Sequence, residues 1–215
     1  MHVIVFAGEE MHLLPQRALF RPSNQTLYIA DAHWGKVATF QAYNVPLPDG
    51  QLSDDLSRLS AVLEATGAER LVILGDLIHS QFTFSDRVIE VVSIWRARHL
   101  DLKIELIEGN HDRYIRFLPP HLDIVRVDPG VDDSGILLHH EPLNDVRQAH
   151  FCGHLHPGWR LQGKGRQSIA LPSFVITQNQ LLFPAFGTLT GLMCRYKRKP
   201  THVYLVGPEK VYQVK

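Results

Sequence analysis

Aspartate, histidine and asparagine recur along this chain in short clusters, each at the exit of an apolar run. Asp31-Ala32-His33 follows residues 27–30, and Gly75-Asp76 follows residues 71–74. Gly109-Asn110-His111-Asp112 follows residues 104–107, and Gly153-His154-Leu155-His156 follows His150-Phe151-Cys152. A histidine pair, His139-His140, closes a further run, Ile136-Leu137-Leu138. Carboxylate, imidazole and amide donors in one set suit Mn, Fe or Zn. Gathered together, about seven of them can hold two ions with one carboxylate left to bridge, and such a pair can clamp a phosphate and activate water at neutral pH.

Taken singly, each cluster has an ordinary explanation. Asp31 and His33 are two apart, so they share a face of a strand or turn together just past one; a lone Asp-x-His is more often a hydrogen-bonded loop pair. Asn and Gly in GNHD suit a left-handed turn. Asp76 after glycine offers a carboxylate able to bridge, Asn110 a neutral oxygen, and His154 and His156 again share a face. The ordinary alternative for Asp112 is the N-cap of a short turn over residues 113–117. It is the whole set, each member following a strand, that chance does not explain.

The elements that must position these residues follow from hydrophobic spacing. Residues 53–66 and 85–99 carry apolar side chains at helical intervals, with Ser53 a candidate cap for the first helix and Gly67 its stop. Between and after them lie short Val/Ile/Leu runs of the kind buried on both faces of a sheet. Strand–helix–strand alternation predicts right-handed crossovers and a mainly parallel sheet. From Ile124 onward the helical spacing vanishes, and short runs at 124–127, 136–138, 150–152, 168–171, 180–183, 202–206 and 211–214 predict a second, largely antiparallel set of strands. In open α/β sheets ligands bind beyond the carboxyl ends of the strands, where the clusters fall.

No repeat or linker divides the sequence, so its 215 residues are read as a single domain, 1–215. An apolar share of 45% with 20% charged residues is that of a globular protein. No apolar stretch approaches the ~18 residues of a membrane span. The opening lacks a basic secretory n-region, and two cysteines, Cys152 and Cys194, make no disulfide framework, which together predict a cytoplasmic protein. The formal net charge of zero hides a division. Residues 1–149 hold 13 basic and 21 acidic side chains, whereas residues 150–215 hold nine and one. The late excess is concentrated in residues 160–166 and 195–199, interleaved with Trp159 and Tyr196, as a solvated hairpin or a nucleic-acid track would have it.

In the order D-x-H, G-D, G-N-H-D, H and G-H-x-H, the clusters resemble those of the calcineurin-like metallophosphoesterase superfamily over roughly residues 26–160. The resemblance implies an α/β, two-sheet αββα sandwich with mixed sheets and helices on the outer faces. It implies one metal on Asp31, His33, Asp76 and His156, another on Asp76, Asn110, His140 and His154, and Asp76 as the bridge. His111 would be the catalytic imidazole, held by Asp112. The position directly before Glu-Pro favours His140 over His139 as the ligand. The two divalent ions would be Mn, with Fe, Zn, Mg or Ni as alternatives. Lys36, His79 and Arg113, beside the ligands, would bind substrate.

A narrower likeness runs through Asp31-Ala32-His33-Trp34-Gly35-Lys36, Gly75-Asp76-Leu77-Ile78-His79, Gly109-Asn110-His111-Asp112-Arg113, His140-Glu141-Pro142 and Pro184-Ala185-Phe186-Gly187-Thr188-Leu189-Thr190-Gly191. These stretches look like the bacterial ligase-associated DNA-damage-response phosphodiesterases, although members more often have Leu at the positions of Ala32 and Trp34. That likeness implies hydrolysis of a phosphodiester, DNA or RNA, in DNA repair, alongside a DNA ligase, a helicase and an exonuclease. Alternative readings are a small-molecule phosphatase or nucleotide pyrophosphatase, and a non-catalytic scaffold for ligase or helicase partners.

Overall fold

The computed structural model describes residues 1–80, 85–115, 117–144 and 146–214. The first sheet runs in spatial order β1 (His2–Phe6), β2 (Glu9–Leu14), β3 (Ala18–Arg21), β4 (Thr26–Ile29), β5 (Arg70–Leu74), β6 (Lys103–Ile107) and β7 (Ile124–Val127). Its β1–β4 pairs are antiparallel and its β4–β7 pairs parallel. Three helices, α1 (Lys36–Ala42), α2 (Gln51–Thr66) and α3 (Asp86–Arg96), occupy the crossovers. The second sheet is built from β8 (Val131–Asp133), β9 (Ile136–Leu138), β10 (His150–Cys152), β12 (Ser168–Thr177), β13 (Gln180–Leu182), β14 (His202–Val206) and β15 (Val211–Gln213), with β11 (Gly158–Gln162) paired to β12. It is mixed as well: β9, β10 and β13 are parallel neighbours, and the other pairs are antiparallel.

Alternation along β4, β5 and β6 explains why these strands read as apolar runs, broken in β6 by Glu105. Leu27, Ile29, Leu71, Ile73, Ile104 and Leu106 pack under Leu59 and Val62 of α2 and Val92 and Trp95 of α3. The intervening Tyr28, Val72, Leu74 and Ile107 point the other way, onto Phe151, Phe174, Leu181 and Phe183 of the second sheet. Both faces are therefore buried. The described α-helices all serve the first sheet. The outer face of the second, at Cys152, Val175, Leu182 and Val203, is covered by Leu155, Trp159 and Tyr196.

Several sequence expectations shift. The first helix starts at Gln51 behind Gly50, a left-handed N-cap with φ 107°, so Ser53 lies inside it and caps nothing. Gly67 does end it, at φ 65° with its N–H on the Leu63 carbonyl. Ser85 caps α3, its Oγ accepting the Val88 N–H at 3.4 Å, and that helix stops at Arg96. Residues 124–127 belong to the first sheet, parallel to β6, rather than to the antiparallel set. The first sheet is also less parallel than predicted, because residues 2–21 add three antiparallel strands through the Ala7-Gly8 and Arg17 turns. Strand β12 continues past residue 171 because it changes partners there: Ser168 to Pro172 face β11, and Ser173 to Ile176 face β14. Proline, which has no N–H for a ladder, sits at that change.

Candidate metal centre

The turns after β4, β5, β6, β9 and β10 converge, and they bring the predicted donors into two adjoining groups. Asp31, His33 and His156 form one; Asp76, His140 and His154 form the other; within each, the donor atoms lie within 4.8 Å of one another. His33 Nε2 stands 3.2 Å from His156 Nε2, and Asp31 Oδ1 3.6 Å from the same nitrogen. In the second group His140 Nε2 is 3.4 Å from Asp76 Oδ1, 3.1 Å from His154 Nδ1 and 3.0 Å from Asn110 Oδ1. The groups are tied together, since the Asp31 carboxylate accepts the backbone N–H of His154 at 2.9 Å.

The protonation pattern argues that a cation belongs here. His140 Nδ1 is 3.0 Å from the Leu74 carbonyl and His33 Nδ1 is 3.4 Å from that of Ile78. A carbonyl only accepts, so both Nδ1 atoms donate and both Nε2 atoms face the site with lone pairs. Lone pairs thus meet carboxylate, amide oxygen and further imidazole, which repel unless positive charge lies among them. Burial lowers the basicity of His140, but Asp76 and Asp31 outweigh it and raise it to about 9, so without a cation this ring takes up on Nε2 the proton that a metal would replace. Burial pushes His33 down to about 3 despite Asp76, leaving it the neutral form a metal requires. The donor set therefore fits two divalent ions.

Backbone geometry is specialised at the same points. Asp31, His33, Asp76, His154 and His156 all have positive φ, between 46° and 66°, a region non-glycine residues seldom enter and which clusters at functional sites. Two glycines supply clearance. A Cβ on Gly75 would stand 2.2 Å from His140 Nδ1, and one on Gly153 would stand 2.5 Å from Asp31 Oδ2.

The remaining predicted residues divide. His111 Nδ1 donates to the His79 carbonyl at 2.6 Å, which turns Nε2 toward the site, 4.0 Å from Asp76 Oδ2. Asp112 does not hold that ring. Its buried carboxylate accepts backbone N–H groups of Gly109 (2.8 Å) and Leu77 (2.9 Å), stitching the GNHD turn to the loop after β5. It is not a helix cap either. Burial raises Asp112 to about 6 against those hydrogen bonds. His79 stacks on His111 at 5.3 Å, and its buried Nδ1 has no partner among the described residues. Lys36 opens α1, with burial lowering its pKa against the pull of Asp31. Arg113 is exposed on a cleft of about 240 Å³ shared with Asn110 and His140. His139 turns away to the Glu141 carbonyl at 2.9 Å.

Sequence reasoning left one supporting device without a role. Phe186 N–H donates to the Ala30 carbonyl at 2.7 Å and Gly187 N–H to that of Asp31 at 3.1 Å, so the Pro184-to-Thr188 segment braces the first ligand turn from behind. Arg17 donates to the Ala185 and Gly187 carbonyls, both at 3.3 Å, and the Arg58 guanidinium lies 4.3 Å over the Phe186 ring. These contacts span more than a hundred residues, and no local spacing announces them.

The chain is similar to the nuclease MPE of Pseudomonas putida, known from a crystal structure, with 34% identity over 99% of both chains and a TM-score of 0.81. The phosphoesterase YfcE of E. coli is a remote likeness at 13% identity and a TM-score of 0.41, covering 88% of this chain and 97% of that one. No protein-family model and no curated protein sequence matches. Common descent with a relative at that identity, along nearly the full length of both chains, means that this protein belongs to the metallophosphoesterase superfamily and is a metal-dependent phosphoesterase.

Proposed function

We propose that the enzyme hydrolyses phosphodiester bonds of nucleic acid using two divalent cations; the mixed Asp, His and Asn donors suit Mn, Fe or Zn, and the family likeness favours Mn. The observation that carries this reading is the pair of adjoining donor groups whose lone pairs point at one another. Asp31, His33 and His156 would hold one ion, His140, His154 and Asn110 the other, and Asp76 would serve both. Bound there, such cations polarise a phosphate and supply a strong nucleophile at neutral pH.

The chain's own groups do the rest. His111, fixed by its Nδ1 hydrogen bond, presents Nε2 to a leaving oxygen and donates a proton to it. Asp112 keeps the GNHD and Gly75-Asp76 turns in register, so it positions Asn110 and Asp76 rather than the imidazole. Lys36 and Arg113 flank the donors as phosphate contacts. A nucleic-acid substrate is supported by the nuclease among the relatives and by the basic residues of 150–215. Work in DNA repair beside a ligase, a helicase and an exonuclease follows from the motif likeness. A scaffold without chemistry would have no need of a complete donor set on strained backbone.

The test is hydrolysis with Mn²⁺ of bis(4-nitrophenyl) phosphate, 4-nitrophenyl phosphate, and single- and double-stranded DNA. The reading predicts turnover of the diester and of DNA. Turnover of the monoester alone would replace it with a phosphatase.

A further inference from the structure

A second cleft, of about 290 Å³, lies on the outer side of the second sheet and is lined by residues that neighbour His140, His154 and His156 along the chain. Its walls are Leu143, Leu155, Met193 and Tyr196, and Arg195 and Lys197 stand at its rim. Chain connectivity ties it to the metal centre. Leu155 lies between His154 and His156, and Leu143 is three residues beyond His140. Met193 N–H donates to the His156 carbonyl at 3.0 Å, and Gly158 N–H donates to the Met193 carbonyl at 2.9 Å. The Tyr196 ring is held in place: it stacks on Trp159 at 6.3 Å, and its hydroxyl donates to the Gly158 carbonyl at 2.6 Å.

Apolar walls, one immobilised aromatic ring and a cationic rim make a slot for a flat ring attached to a phosphate. Sequence-tolerant nucleic-acid binding combines such stacking surfaces with basic contacts to the backbone. We propose that this cleft receives the nucleobase next to the scissile phosphate, an inference that rests on the phosphodiesterase reading above. His111 stands against His33 and His79, on other turns than those bordering the cleft. The base in the cleft therefore belongs to the side of the phosphate that stays, not to the leaving group. The polar floor is already engaged: Gln180 Nε2 donates to Cys152 Sγ at 2.9 Å, and its Oε1 accepts from Thr177 at 3.3 Å. Asn144 completes the polar lining, its Oδ1 accepting from Arg198 at 3.5 Å; with these groups engaged the slot reads ring shape more than base edges, so it accepts all four bases.

The test compares, with Mn²⁺, nucleoside 5′-(4-nitrophenyl) phosphates and methyl 4-nitrophenyl phosphate, which share a leaving group and differ in the ring. The nucleoside esters should show a kcat/KM advantage of about tenfold or more, from base–aromatic stacking, nearly equal for the four bases. Tyr196→Ala should collapse the ratio toward one. Leu143→Trp, which fills the cleft instead of emptying it, should do the same and covers the case where Tyr196→Ala misfolds. Equal kcat/KM for the nucleoside and methyl esters, or an advantage untouched by both variants, overturns the proposal while leaving the phosphodiesterase reading intact. If neither ester is hydrolysed, that reading fails, and titration with thymidine monophosphate followed by Trp159 fluorescence decides the cleft: saturable binding lost in Leu143→Trp supports it, and no binding overturns it.

Discussion

Replacing Gly153 by alanine isolates clearance as the thing that glycine provides. Its backbone is not among the left-handed glycines, so alanine meets no penalty from a positive φ there. The new methyl carbon would stand 2.5 Å from Asp31 Oδ2 and 2.7 Å from the Ala30 Cβ, where ordinary contact begins at 3.4 Å. One side must give by about 0.9 Å. Asp31 cannot swing freely, because its carboxylate accepts the His154 N–H and its carbonyl accepts the Gly187 N–H. Metal–ligand distances tolerate only about 0.2 Å, so Gly153→Ala should lose the ion held by Asp31, His33 and His156. A misplacement near 1 Å costs roughly 10²-fold in rate, and the overpacking costs about 1–3 kcal/mol of stability. Metal content by elemental analysis, Tm and hydrolysis of bis(4-nitrophenyl) phosphate read the three effects. Gly191→Ala is the control: nothing lies within 4 Å of its Cβ position, and it should stay within about 0.5 kcal/mol of the parent. A Gly153→Ala protein with two metals and parental turnover would refute the reasoning.

Other expectations are as direct. His111→Asn should lower diester turnover by ~10²–10⁴ with both metals retained, and least for nitrophenolate leaving groups; loss of metal instead would make His111 a ligand. Replacing Lys197, Arg198 and Lys199 together by glutamine should weaken single-stranded DNA binding and reduce the salt slope by about 2, while an unchanged slope would place the DNA track elsewhere. Burial pushes the Cys152 thiol up to about 12, against the Gln180 hydrogen bond, so Cys152 should resist iodoacetamide at pH 8 in the folded protein; rapid modification, read by mass spectrometry, would contradict its packing.

The donors were legible because their chemistry is local. A ligand turn at a strand exit leaves both its residue types and its apolar approach in a few consecutive positions, and His140 was separable from His139 by its neighbours. What was not legible depends on distant partners. Asp112 reads as a companion of His111 because they are adjacent in sequence, yet it bonds to Leu77, 35 residues away. The clearance at Gly75 and Gly153 is set by His140 and Asp31 across the site. Strands β1 and β2 escaped because about half of their side chains are not buried, as in the exposed Val3 and Val5, and Ala7-Gly8 is a weak hairpin signal; β3 is buried throughout but only four residues long. Residues 124–127 have no internal mark of which sheet they join; pairing with Ile104 decides it.

The central claim is that two ions share one centre, with Asp76 between them. Anomalous scattering from crystals grown with Mn²⁺ tests it most directly. Two peaks are predicted, one bounded by Asp31, His33 and His156 and one by His140, His154 and Asn110, with Asp76 reaching both; a single peak or none, with these side chains otherwise in place, would contradict it.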